Sequence, residues 1–427
     1  MHKTIRYSLL FFVLLVSVSA FSQKRTYSPF SRYGLGDLSE RGFGQNAAMG
    51  NAGIGHRDND HLNNLNPASY SAIDSTSFFF ESGITGFTQT FESGDKQEQY
   101  NNVDFSYFAM GFPLSKKFHT SLGLKPFSNT GYKFEFSDEN SLNRAIGTGN
   151  LSSAYGGLSF RVTPNLSIGA HATYLFGNIQ HTTFIEFPED ETAYKYGVQS
   201  ELHASDFFFD FGTQYTHEIS DSRSLTIGAT YRPQTPVSGD FQRTVAKGFQ
   251  YHEDGKLFTS NLIIPEASDS SDIKSFDLPQ SIGFGISYKV SKESEELLLN
   301  ADYVTSNWGD ITLPDGHSNT TNSSHLSAGA QYIPNKRSRS YLGRMSYRAG
   351  IKYNQEYIKI NGEQINDFGI TFGLGLPYSR SKTSVNLAFE FGKRGPSSDN
   401  EIMSENYGKV ILNFTFHEFW FRQRKFD

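Results

Sequence analysis

Apolar and polar residues alternate with a period of two over much of this chain. Over residues 280–290 one side carries Ile282, Phe284, Ile286, Tyr288 and Val290, and the other carries Ser281, Gly283, Gly285, Ser287 and Lys289. Residues 166–177 repeat the pattern, with Leu166, Ile168, Ala170, Ala172, Tyr174 and Phe176 against Ser167, Gly169, His171, Thr173 and Gly177. So do residues 367–376, where Phe368, Ile370, Phe372, Leu374 and Leu376 oppose Asp367, Gly369, Thr371, Gly373 and Gly375. Successive side chains of a strand point to opposite faces, so each segment has one greasy side and one small or polar side. The pattern predicts strands at 77–93, 102–112, 118–136, 151–161, 166–187, 198–218, 224–248, 276–290, 295–312, 323–333, 341–360, 365–376, 383–393 and 406–420. About fourteen strands, an even number, fit an all-β transmembrane antiparallel barrel whose greasy side meets lipid.

The connections fit the same reading, because such barrels have short turns at one rim and longer loops at the other. Short turns are expected at Pro113 to Lys117, Thr163 to Asn165, Ser220 to Arg223, Ser291 to Ser294, Asn335 to Ser340 and Pro377 to Lys382. Most alternate connections are longer and more acidic, such as Pro188 to Gly197, with Glu189, Asp190 and Glu191, and the stretch from about Gln250 to Ser275. The turns then belong to the periplasmic rim and the loops to the outside. The connection near Asn361 and Gly362 is the exception, short where a loop is due. The last strand carries Val410, Leu412, Phe414 and Phe416 and ends in Phe419, Trp420 and Phe421. Aromatic residues there suit an interfacial girdle.

The N-terminus changes the picture by adding a destination. His2, Lys3 and Arg6 precede an apolar run from Leu9 to Val18 and small residues at Ser19, Ala20 and Ser22, the three-part layout of a secretory signal peptide. The expected organisation is a signal peptide at 1–23, a polar segment at 24–75, a barrel at 76–421 and a charged tail at 422–427, with the bacterial outer membrane as the location. With no cysteine in the chain, lipoprotein anchoring, disulfides and cysteine-ligated metal are excluded. The net charge of −6 gives no reason to expect a nucleic-acid partner.

Residues 24–75 do not alternate. They contain Ser28-Pro29-Phe30-Ser31-Arg32-Tyr33-Gly34-Leu35-Gly36-Asp37, then Ala48-Met49-Gly50-Asn51-Ala52-Gly53, then Leu65-Asn66-Pro67-Ala68-Ser69. Such a segment is either a periplasmic tail or a plug within the lumen. Its glycines and small residues allow close packing against a wall, which favours the plug. The glycine-rich start, the Gly50 to Gly53 turn, the Asn66-Pro67-Ala68 motif and the strand count together resemble the FadL/TodX family of outer-membrane transporters of hydrophobic compounds. The resemblance covers the mature chain in layout, with motif identity confined to residues 44–70. It implies a lumenal hatch built on Gly50, Gly53, Asn66, Pro67 and Ala68, a pocket for a hydrophobic small molecule, and a kinked third strand opening the wall into the bilayer.

The third expected strand contains Lys125-Pro126-Phe127-Ser128-Asn129-Thr130-Gly131. Proline has no N–H to give a ladder, so Pro126 should break pairing with a neighbour, and Gly131 adds a second soft point. Pro126, Phe127, Asn129 and Gly131 therefore form the candidate lateral gate. The plainer reading is that Pro126 only bends the rim.

Other chemistry is sparse. His119 with Ser121, and His325 with Ser327, share a face, but no orienting third group or oxyanion site marks a hydrolase, and no enzyme activity is expected. The Gly-x-Gly pairs are not dinucleotide fingerprints, since Gly283/Gly285 and Gly373/Gly375 lie in strands with no following helix. His56 and Arg57, within the polar cluster His56, Arg57, Asp58, Asp60 and His61, and Lys125 beside the kink are candidate ligand-binding residues. A hatch hydrogen-bonded to a polar lumen would look the same. No cofactor or resident metal is expected. Two functions remain open: passive uptake of a fatty-acid-like compound with lateral release, or a barrel subunit of a larger outer-membrane secretion or assembly complex, with other outer-membrane or periplasmic proteins as partners.

Overall fold

Strands that are greasy on one side only can satisfy every backbone group inside a bilayer if their sheet closes on itself, and this sheet does so. The computed structural model describes residues 28–93, 96–137, 140–190, 193–247, 250–251, 257–258, 275–311, 313, 320–378, 381–396 and 403–420. The expected signal peptide and charged tail lie outside these residues. Fourteen antiparallel strands form the wall. They are β1 (Ser77–Ser93), β2 (Lys96–Pro113), β3 (Phe118–Ser137), β4 (Leu142–Arg161), β5 (Leu166–Glu186) and β6 (Tyr196–Ser220). Next come β7, in two pieces (Arg223–Arg232 and Thr235–Lys247), and β8, also in two (Ser275–Leu278 and Ser281–Lys292). The circuit ends with β9 (Glu295–Ser306), β10 (Ser323–Ile333), β11 (Ser346–Ile360), β12 (Glu363–Pro377), β13 (Ser384–Pro396) and β14 (Ser404–Phe419). β14 pairs with β1 from Phe419 opposite Ser77 to Ser404 opposite Glu92, which closes the barrel.

The period-two pattern emerges as burial. On β8, Phe284 and Ile286 are 57% and 51% exposed on the outer face, while Gly283, Gly285 and Ser287 face inward. A soluble protein would not expose so much contiguous apolar surface, and lipid is its natural solvent. The breaks in β7 and β8 fall at Pro233 and Pro279, where a ladder N–H is missing. Near the rim of short turns, the Trp420 ring stacks on Phe78 with centroids 4.2 Å apart, and the Trp420 backbone N–H donates to the Thr76 carbonyl.

Several strand limits differ from those expected. β2 and β4 begin earlier, at Lys96 and Leu142 rather than 102 and 151, because their first residues carry no sustained alternation to read. β9 ends at Ser306 and not 312, where a 3₁₀ turn at Trp308–Asp310 folds Trp308 inward. β11 begins at Ser346 and not 341, since Tyr341–Arg344 forms a helical turn whose Gly343 carbonyl accepts from Asn335 N–H. The short connection at Asn361 and Gly362 is a hairpin turn with both φ angles positive, 52° and 85°.

Candidate functional site

The inward face of the wall is held against residues 28–75 by backbone proximity, side-chain caps and buried charge. Gly50, at φ +67°, donates its N–H to Thr371 Oγ1 at 2.9 Å, and a Cβ there would overlap the Ile351 carbonyl oxygen. Only glycine meets both demands cheaply. Gly53 and Ile54 donate their N–H groups to Asp302 Oδ2, at 2.6 and 2.8 Å. Asn66 caps the 3₁₀ turn Pro67–Ala72 by accepting from Ala68 N–H, and its Nδ2 donates to the carbonyls of Ile54 and Thr213, each at 3.0 Å. Pro67 and Ala68 rest on Gly169 of β5, where any side chain would strike their backbone. All five residues of the Gly50 to Ala68 motif thus contact the wall or position residues that do.

Charge also ties the same segment to β11–β14. Lys352 on β11 is buried and donates to Glu40 Oε1 at 2.9 Å, Glu390 Oε1 at 2.6 Å and Asp367 Oδ2 at 3.3 Å. Lys409 on β14 also reaches Glu40, at 2.6 Å. Burial raises the Glu40 carboxyl, but the two lysines more than offset it and hold it well below the ordinary carboxylate range. Arg394 on β13 binds Asp37 at 2.9 Å and lies 4.7 Å from the Phe30 ring centroid. Above this layer, Phe30 and Leu35 pack among Leu151, Leu175, Trp308, Tyr357 and Ile365, all nearly devoid of solvent contact. The Tyr357 hydroxyl accepts from Leu35 N–H and donates to the Gly36 carbonyl at 2.7 Å.

The wall is incomplete between β2 and β3. Their ladder runs only from Pro113 opposite His119 to Phe108 opposite Leu124. Beyond Leu124, β3 stays paired with β4 on its other edge, with a bulge that takes Phe127 out of the ladder between Pro126 and Ser128. The edge that β2 leaves is met by the N-terminal segment. Asp37 and Leu38 pair with Asn129 and Ser128, Ser39 N–H donates to the Phe127 carbonyl, and Ser28 N–H donates to that of Gly131. Pro126, Phe127, Asn129 and Gly131 all lie along this gap. A cavity of about 430 Å³ extends from Glu40 and Arg41 to both sides of it, lined by Phe105 and Ser106 on β2 and by Lys125 to Phe127 on β3. Phe105, 41% exposed, lines the cavity where the wall is interrupted.

The three candidate ligand residues are not brought together. Lys125 lines the cavity, whereas His56 and Arg57 do not. Arg57 donates to Ser167 Oγ at 3.0 Å, near the short-turn rim. His56 is buried 4.0 Å from Asp58, and burial, against the pull of Asp58, lowers its pKa to about 4. Of the His/Ser pairs, Ser121 bonds the Tyr155 hydroxyl at 3.1 Å and His119 is enclosed. Sequence reasoning missed Glu40, Arg41, Lys352 and Arg394. The inward-facing Lys352 and Arg394 could have been flagged as cations on the lumen side of alternating strands, but Glu40 and Asp37, the partners that tie down residues 28–75, lie hundreds of residues away.

A family model described as BamG matches residues 1–427. A search of curated proteins finds no match. Among solved structures, a Pseudomonas aeruginosa FadL homologue aligns over 91% of this chain and 100% of its own, with a TM-score of 0.57 at 12% identity. The Pseudomonas putida toluene transporter TodX aligns over 90% of this chain and 99% of its own, with a TM-score of 0.53 at 15% identity. The Ralstonia pickettii toluene transporter TbuX covers 88% and 98%, with a TM-score of 0.52 at 14% identity. The likeness to FadL and TodX therefore holds for the barrel fold, and the family that matches the sequence is a different one.

Proposed function

This chain belongs to the BamG family, and we propose that it works as a barrel subunit of a larger outer-membrane assembly complex, with its functional surface on the wall and loops. The observation that carries this reading is the way residues 28–75 are fastened. Glu40 and Asp37 are clamped by Lys352, Lys409 and Arg394, and Phe30 and Leu35 are sealed into an apolar layer on the loop side. A free-standing channel would have to loosen these ion pairs, anchored on the buried Lys352, to pass a molecule from that side. The family assignment points the same way. Neither this reading nor the next calls for catalysis.

The second reading is passive uptake of a fatty-acid-like compound, which would sit between residues 28–75 and the wall and leave sideways into the bilayer beside Pro126. The gap between β2 and β3, and the cavity that reaches it, favour this reading. Purification of the tagged protein in mild detergent, followed by mass spectrometry of proteins and extracted lipids, separates the two. Stoichiometric outer-membrane or periplasmic partners with no enriched ligand are expected. A lone barrel carrying an apolar compound would overturn the subunit reading in favour of uptake.

A further inference from the structure

The connection between β10 and β11 differs from the other turns of its rim. It spans residues 334–345, where the others run from two residues (221–222) to six (378–383). It closes on itself: Asn335 N–H donates to the Gly343 carbonyl at 2.8 Å, Ser338 N–H to the Asn335 carbonyl at 3.0 Å, and Ser340 N–H to Ser338 Oγ at 3.1 Å. Its last part, the helical turn Tyr341–Arg344, lies on the lipid side of the wall. Tyr347, one residue out of step with the buried, inward-facing Arg348, stands between Tyr332 and Leu374 on the outer face, and its hydroxyl donates to the Leu342 carbonyl at 3.0 Å. Tyr341 and Leu342 are 46% and 63% exposed, as much as the lipid-facing side chains of the strands. Residues 334–345 also carry four cations and no carboxylate. Lys336 is taken by Glu296 at 2.8 Å, and the Arg344 guanidinium lies 5.6 Å from the centre of the Tyr341 ring. Among the described residues Arg337 and Arg339 form no ion pair, and both are exposed.

An aromatic and an aliphatic side chain beside a cluster of cations is the composition of an element that lies in a membrane interface, with the apolar pair among acyl chains and the charges at the level of the phosphates. The position of this turn fits that composition. Tyr341 and Leu342 continue the outer surface of Tyr332, Tyr347 and Ile351, which the bilayer already covers, so lipid reaches them without any partner having to displace it. We propose that the β10–β11 turn is a clasp for an anionic phospholipid of the leaflet at the short-turn rim: Tyr341 and Leu342 enter its acyl region, and Arg337 and Arg339 hold its phosphate. The fork of donors on arginine matches phosphate oxygens, and each cation at the surface adds attraction for a negatively charged leaflet. Exposure is what this role requires, since the head groups lie outside the wall. The clasp goes beyond the assembly reading and stands whether the barrel works alone or in a complex.

A tryptophan placed at the turn supplies the readout. Leu342→Trp is made in a Trp420→Phe background, where the remaining Trp308 is buried in the lumen and gives a constant signal. Tryptophan favours the interface, so the replacement keeps the apolar anchor. The full-length barrel is reconstituted into phosphatidylcholine vesicles that carry increasing fractions of brominated phosphatidylglycerol or of brominated phosphatidylcholine. Both lipids are expected to quench the reporter, with phosphatidylglycerol preferred about fivefold. Arg337→Gln with Arg339→Gln should bring the two lipids close to parity, and Arg337→Lys with Arg339→Lys should retain a preference. Equal quenching by the two lipids in the parent, or an unchanged preference in the folded double glutamine variant, would overturn the head-group contact and with it the proposal. Quenching by neither lipid would overturn it too, and would leave the basic turn to an acidic protein surface.

Discussion

Leu38 lies opposite Ser128 in an antiparallel pair, at a position along β3 where the neighbouring β2 no longer pairs. The chain thus completes its own wall with two residues from the segment that precedes the barrel. An unpaired strand edge within a membrane wall costs several kcal/mol for each bare polar group, so even a short substitute strand stabilises the gap.

That pairing can be trapped. The chain has no cysteine, so Leu38→Cys with Ser128→Cys introduces one possible disulfide. Opposed residues of an antiparallel pair have Cα atoms about 4.5–5.5 Å apart, within disulfide range. The double variant should oxidise spontaneously in the periplasm and resist a thiol-reactive probe until reduced. Free thiols in the folded, unreduced protein would contradict the register.

Lys352→Met should be strongly destabilising. It leaves Glu390, Asp367 and Glu40 facing one another with one fewer cation, and removing one partner of a buried pair costs about 3–5 kcal/mol. The expected outcome is a lower temperature for the electrophoretic shift from folded to unfolded barrel. Adding Glu390→Gln should recover part of the loss, and a single variant as stable as the parent would show that Lys352 is not needed to hold Glu40.

Acid should act in part through His56, the buried histidine of the segment ahead of the wall. Its pKa in the folded chain is about 4, below the ordinary 6.5, so the unfolded chain takes up the proton first. Stability should therefore fall as the pH drops from about 6.5 and level off below about 4, by about 3 kcal/mol in total. Glu40 and Asp58 are depressed carboxylates whose stabilisation is lost only at lower pH, below their ordinary values of 4.5 and 3.8. Urea unfolding measured across this range should show a shallower slope between pH 6.5 and 4 for His56→Gln. An unchanged slope would assign the loss to other groups.

The alternation around Phe284 and Phe372 made the wall legible because a period of two is a local property, written into neighbouring residues. Pro126 was legible as a break for a similar reason, since a missing N–H disrupts any ladder in which it sits. The first parts of β2 and β4 were not legible, because strands standing clear of lipid need no regular alternation with a greasy outer side.

The sequence by itself determined that the chain forms strands, how many, which side of each meets lipid and where one of them is bent. Tertiary structure alone decided that Asp37 and Leu38 fill the edge left by β2, and that Glu40 meets Lys352 across 312 residues of chain. Strand period and turn chemistry are set by residues a few positions apart. Charge pairing in a lumen depends instead on which inward-facing side chains come within a few ångströms once the sheet has closed, and that distance is fixed by register and closure.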